Sequence, residues 1–321
     1  HYFDLPGQDL VLRYVEPDKT TALEGRHSTM GKCASSAMVH LGARRNSNEF
    51  AGAYGHQLTF TEYRWLALWL LIRGCNLLIP HAFYYSIRGP RIDERPRDVG
   101  LHSPWWGNYA RFSDLTRKIC WLNTDSQQVC GTAILGLSDF LPWGAAKVCF
   151  QHQHDFNYLT IEDLLRRVER AEDGLRIAGM TYRLLIVESV VMDRLSGEER
   201  NLIADIESQG QVLWWKGVEE TDGFLEHLYY IDPTPFVFTP FSLDLRIRYV
   251  YKGGVAYLLL FNEGEDEIQT RLSLKDSSLL GNGVLVNMDT GQEEPWQNNV
   301  SIHLLPHGCA VLALPIATHS A

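Results

Sequence analysis

Glu49 sits in the stretch RRNSNEFAGAYG (Arg44–Gly55), where a carboxylate at the end of a short strand is followed by Gly52 and Gly55. Glycine in such a place lets backbone approach a bound molecule closely. Further on, PHAFYYS carries His81, Tyr84 and Tyr85 to the end of the next strand. The loop after it, with RGPRIDERP and HSPWWGNY, adds Arg88, Asp93, Glu94, Trp105, Trp106 and Tyr109. A carboxylate ringed by aromatic rings, a histidine and an arginine suits sugar chemistry. Flat rings pack on the apolar faces of a pyranose, and carboxylates act as nucleophile or as acid and base. Glu16, closing LRYVE, is the other strand-end carboxylate in this region.

Each of these residues also has a plainer reading. Glu49 can be a structural carboxylate bonded to N–H groups of a glycine-rich turn. His81 can be a hydrogen-bonded core histidine. Of Trp105 and Trp106, at most one is expected to touch sugar, the other packing the mouth of the site. Trp65 and Trp69 repeat at helical spacing on an apolar face and belong to the core. His152 and His154 in QHQHD share a face only in a strand and have no evident third ligand, so the reading is a polar loop and no metal site.

Three regions position these groups. Up to about Asp125, strand-like and helix-like segments alternate. QDLVLRYV is a strand, SSAMVHLG ends a helix at Gly42, and ARRNSNEF is a short strand leading to Glu49. Thr59 or Thr61 caps a helix with Glu62 in its first turn, and Gly74 stops it. CNLLIPHAFYYS reads as a strand buried on both faces in a parallel sheet. From about Val129 to Trp215 the alternation returns: strands in GTAILG, YRLLIVES and QVLWW, helices over Ile161–Glu172 and Ser196–Gly210. That pattern predicts a doubly wound sheet. Beyond Gly223 the helical signal vanishes, and short strands parted by Gly, Asn and Asp predict an antiparallel sandwich. The domains expected are 1–125, 126–222 and 223–321.

Composition removes several function classes. With 321 residues, 45% of them hydrophobic, the chain can bury a sizeable core. A net charge of −10 argues against nucleic acid and anionic membrane, which select clustered Lys and Arg. WLALWLLI is too short to span a bilayer. The six cysteines form no CxxC pair and read as buried thiols in a reducing compartment, which with no secretory signal pattern gives a cytoplasmic expectation. No cofactor is expected.

SNEFAGAYG, RGCNLLIPHAFYYS and SPWWGNY together resemble the last barrel strands of glycoside hydrolases related to α-L-rhamnosidases and β-galactosidases. The order downstream is also similar to theirs: an amidotransferase-like α/β domain, then a β-sandwich ending in DTGQ…LLPHGCAVLAL. The resemblance implies α/β plus all-β architecture, with the end of a (β/α)8 barrel carrying the catalytic face. It implies Glu49 as nucleophile and places Asn48, His81, Tyr84, Tyr85, Arg88, Trp105 and Trp106 against a carbohydrate substrate. A whole barrel takes roughly 200 residues or more. The expectation is therefore a C-terminal part of a longer enzyme, associated with an N-terminal barrel segment or with copies of itself. The partner acid/base then lies elsewhere, with Glu16 the substitute within this chain. The amidotransferase-like domain has no Gly-x-Cys-x-Gly elbow, so its chemistry looks absent. The other reading is a non-catalytic carbohydrate-binding or oligomerisation fragment.

Overall fold

A computed structural model of the chain describes residues 4–86, 88–93, 98–275 and 282–316. Glu94 and the side chain of Asp93 lie outside the described residues.

The first unit is three parallel strands with a helix after each. Strand β1 (Gly7–Val11) precedes helix α1 (Met30–Leu41), β2 (Ser47–Gly52) precedes α2 (Phe60–Ile72), and β3 (Leu77–Pro80) precedes α3 (Trp106–Asn123). The sheet runs β1-β2-β3, with Asp9 opposite Glu49 and Glu49 opposite Ile79. Local chemistry sets the boundaries. Thr59 and Glu62 form a reciprocal capping box at the start of α2, and Gly42 closes α1 in the left-handed region at φ 64°.

Helix α2 is clothed on every side. Trp65 through Ile72 are all buried, Trp65 and Trp69 completely. Phe261 and Val311 of the antiparallel unit complete the same apolar cluster. Arg73, just past the helix end, lies over the Trp69 ring at 4.0 Å and the Phe150 ring at 4.4 Å. Its guanidinium meets Glu263 at 3.0 Å, and Arg246 meets the same carboxylate at 3.3 Å. Burial pushes the Glu263 carboxyl up, but Arg246 and Arg73 more than offset this and hold it below its ordinary value.

The second unit is a four-stranded parallel sheet. Its spatial order is Val212–Trp215, Leu184–Glu188, Thr132–Gly136, Asn157–Thr160. Helices Gly144–Gln151, Gly197–Ser208 and Thr221–Ile231 flank it, the last through Phe224, Leu225 and Leu228. Lys32 of α1 is ion-paired to Asp155, which also accepts from Gln128 at 2.7 Å. His40 of α1 reaches Tyr182 Oη at 2.7 Å. Two antiparallel sheets follow, sharing one core that includes Phe236, Leu258, Leu272 and Leu312.

The protein is thus mixed α/β with several sheets, and no sheet closes into a barrel among the described residues. Three expectations change. CNLLIPHAFYYS forms a strand only over Leu77–Pro80, partly exposed, because Pro80 ends the ladder. The helix read over Ile161–Glu172 stops at Arg166, and Glu169–Ala171 pairs with Gly174–Ile177 as a hairpin turned by Glu172-Asp173. The region past Gly223 begins inside a helix, whose apolar face is short and whose first turn holds a glycine.

Candidate functional site

Glu49 is the third residue of β2 and not its last. Side chains alternate along a strand, and here the alternation is visible in burial. Asn48 and Phe50 are buried against the helices, Phe50 packing on Tyr63 of α2 at 4.8 Å between ring centroids. Glu49 points to the opposite, open face with 36% of its side chain exposed. The strand register sets Asp9 of β1 beside it. His81, one residue past β3, brings Nε2 to 3.7 Å from Glu49 Oε1. His81 Nδ1 is buried without a hydrogen-bond partner. Desolvation raises the Asp9 carboxyl above its ordinary value, Glu49 adds to the rise and His81 opposes it.

The backbone around this group is irregular. Leu10 pairs with Phe50 but Val11 pairs with Gly52, so Ala51 is an extra residue on β2. Ala51 has φ 65°, and nearby Leu12, Arg13 and Ala53 also take positive φ. Non-glycine residues in that region are strained, and bulges next to binding sites re-aim side chains. Gly52 answers to contact and not to φ: a Cβ there would lie 2.6 Å from Val11 Cγ1 and 3.7 Å from Asp9 Oδ1.

The structure brings together Glu49, His81 and Tyr84, whose ring meets the His81 ring edge-on at 6.4 Å. Asn48 is turned away: it is fully buried, donates to Asn46 and Leu77 carbonyls, and accepts from Cys75 Sγ. Glu16 lies beyond the end of β1 and is bonded to Arg13 at 2.7 Å, whose other arm holds Glu62 at 2.8 Å. Tyr85 and Arg88 are exposed on the loop after β3. Trp105 is buried against Phe60 and Tyr63, whereas Trp106 is 43% exposed, stacked on Tyr109 and edge-on to Phe83. Asp9 escaped the sequence reading. It occupies the middle of GQDLV, and only the register with Glu49 gives it meaning.

The two histidines of QHQHD go separate ways. His152 stacks on Phe241, while His154 is buried with Thr132 Oγ1 at 2.8 Å and Asp232 Oδ2 at 3.1 Å. No metal-binding group of three or more His, Cys, Asp or Glu occurs among the described residues. In the second unit the strand Leu184–Glu188 runs straight into a short helix, and Glu188 accepts the Ala145 N–H at 2.7 Å. No described helix is long and apolar enough to cross a membrane.

No protein-family model matches the sequence, and no curated protein does. Solved structures do. The rhamnosidase from Novosphingobium sp. PP1Y superimposes with a TM-score of 0.66 at 13% identity, over 98% of this chain and 35% of that one. The β-galactosidase from Bacillus circulans sp. alkalophilus gives 0.58 at 9% identity, over 92% and 59%. The β-galactosidase from Rahnella sp. R3 gives 0.58 at 9%, over 98% and 60%. The chain therefore spans about a third to three fifths of the length of these three proteins. At such identities the likeness is one of fold, and the fold is glycoside hydrolase-like.

Proposed function

We propose that the chain is part of a glycoside hydrolase that cleaves by a two-carboxylate mechanism, with Glu49 as nucleophile. The observation that carries this is the placing of Glu49 on the open face of β1-β2-β3, beside Asp9 and 3.7 Å from His81, in a fold shared with a rhamnosidase and β-galactosidases. In this reading the three strand–helix repeats are the end of a (β/α)8 barrel. The four-stranded unit is an amidotransferase-like domain running to Ile231, and the two antiparallel sheets form a sandwich. The open edges of β1 and β3 are where further barrel strands, or another copy, would pair.

Glu49 attacks the anomeric carbon, and a second carboxyl group protonates the departing oxygen and then activates water. Glu16, beyond the end of β1 and held by Arg13 at 2.7 Å, fits poorly with that second role. His81 and Tyr84 flank Glu49 and would hydrogen-bond sugar hydroxyls, with Tyr85 and Arg88 on the loop above. Trp106, stacked on Tyr109, offers an exposed ring for a sugar face. The substrate class is a glycoside of a neutral sugar, rhamnoside or galactoside first.

The test uses 4-nitrophenyl α-L-rhamnoside and β-D-galactoside, with the wild-type protein and Glu49→Gln, in the full-length protein. Turnover of one glycoside, lost in the variant with the fold kept, supports the reading. Sugar binding without turnover in either protein replaces it with a carbohydrate-binding role, and undiminished turnover in Glu49→Gln removes Glu49 from the mechanism.

A further inference from the structure

We infer that the groove between α2, α3 and the turn at Met288–Gly291 is a second carbohydrate site, separate from Glu49, where Arg111 receives the carboxylate of a short acidic glycan. The choice of a glycan rests on the glycosidase reading above; the shape and charge of the groove stand without it.

The groove has a volume of about 590 Å³, within the range of clefts that hold small ligands. Phe60, Phe112 and Met288 supply its apolar lining, the two rings meeting edge-on at 6.0 Å. Phe60 and Met288 are only half-buried. Helix α3 contributes Asn108, Arg111, Leu115 and Lys118, which recur every three or four residues and so form one stripe. That stripe is about 15 Å long at 1.5 Å per residue, room for more than one sugar ring. The opposing turn is already fixed. Asn287 Oδ1 accepts the N–H groups of Asp289 at 2.9 Å and Thr290 at 3.0 Å. Asp289 is ion-paired to Arg64 of α2 and accepts the Cys309 N–H at 3.1 Å, while Arg64 also donates to the His307 carbonyl at 2.7 Å. A wall tied down in this way loses little freedom when a ligand settles on it.

Charge selects the ligand. Arg64, Arg111 and Lys118 line the groove against Asp114 and Asp289, an excess of one cation in a chain of net charge −10. Asp289 is taken by Arg64, and Asp114 is shared by Lys118 and Arg117, which hold its carboxyl below the ordinary range. Arg111 is exposed and joins no ion pair among the described residues. Its planar fork can give a carboxylate two parallel N–H bonds, and the Phe60 ring offers a face to the apolar side of the sugar that carries it. A uronate answers both groups, whereas a neutral sugar leaves the guanidinium unmatched. The site is distinct from the one around Glu49. Tyr63 packs on Phe50 of β2 at 4.8 Å and on Phe112 of the groove at 5.1 Å, so the groove lies on the helix side of the sheet and Glu49 on its open face.

Isothermal titration calorimetry on the whole protein, with tri-galacturonic acid, galactotriose and a short polyglutamate peptide as probes, tests the inference. The acidic trisaccharide should bind, more weakly as salt is added, and the neutral one should bind at least about tenfold less tightly. Arg111→Gln should weaken the acidic sugar by about tenfold or more, the loss of a charge-assisted pair. Arg111→Lys should recover only part of that, since it returns the charge without the fork. Arg176→Gln, which removes the same charge from the hairpin strand Gly174–Ile177, should leave binding within about twofold. Glu49→Gln should bind as the wild type does. Binding indifferent to Arg111→Gln, equal binding of the neutral trisaccharide, peptide binding as tight as that of the sugar, or no binding at all overturns the inference. Binding that needs Glu49 and ignores Arg111 puts the sugar on the open face and overturns it too. Arg111-dependent binding in a protein that turns over no glycoside sinks the glycosidase reading and leaves this site in place.

Discussion

His40 is a titratable group folded into a place that cannot accept its charge. It is 2% exposed on α1, and its Nε2 lies 2.7 Å from Tyr182 Oη. That hydroxyl already accepts from Asn157 Nδ2 at 3.0 Å, so its own proton points to the imidazole, which must accept and stay neutral. Burial lowers the pKa from 6.5 to about 4, outweighing the opposite pull of Asp163, with a smaller push in the same direction from Arg167. The unfolded chain therefore binds a proton on His40 between those values and the folded one does not. Stability from this residue is complete above pH 6.5 and drains away as pH falls toward 4. A gap of about 2.5 units at 1.36 kcal/mol each comes to about 3 kcal/mol. His40→Gln, whose amide oxygen can still accept from Tyr182, removes the titration and keeps the bond. Urea unfolding of both proteins at pH 7.5, 6, 5 and 4 should show the wild type losing its advantage, with the difference shifting by about 3 kcal/mol over that range. A difference that stays flat with pH would refute the account, whatever its size.

Other outcomes are expected. Glu263→Gln leaves the Arg73 and Arg246 guanidiniums buried against one neutral amide, and should cost about 3–5 kcal/mol by chemical denaturation. Trp105→Ala removes a buried ring and should destabilise by about 3–5 kcal/mol, whereas Trp106→Ala should leave the melting temperature nearly unchanged and weaken sugar binding. Gly52→Ala drives a methyl into Val11 and should cost about 1–3 kcal/mol, measured by thermal unfolding, with Glu49-dependent turnover falling as the bulge shifts.

Much of this fold is legible because its signals are local. The capping boxes at Thr59 and Ser196, the glycine at the end of α1 and the buried apolar runs at Thr132–Gly136 and Leu184–Glu188 can be read from a few neighbouring residues. The candidate site is only half legible for the same reason. Glu49 and His81 stand out by type and by their place on successive strands. Asp9 does not, since a lone aspartate in an exposed strand gains its role from a register partner forty residues away in the chain. Asn48 could not be told from Glu49 without knowing which face the helices cover, and a one-residue alternation decides it. Glu16 misled because the chain leaves β1 at Val11 and turns, handing that carboxylate to Arg13.

Helix α2 also makes the protein its own fluorescence gauge. Trp65 is fully buried between the first unit and the antiparallel sheets, with its ring near Phe261 and its indole N–H donating to the Glu263 carbonyl at 2.9 Å across that seam, and the fully buried Trp69 lies beside it. The part of the emission that Trp65→Phe removes should stay blue-shifted only while both units remain docked, because parting them wets that indole before either sheet has to come undone. An emission red shift that precedes the loss of circular dichroism would then report undocking as a step of its own. A coincident loss would mean that the two units melt as one cooperative block.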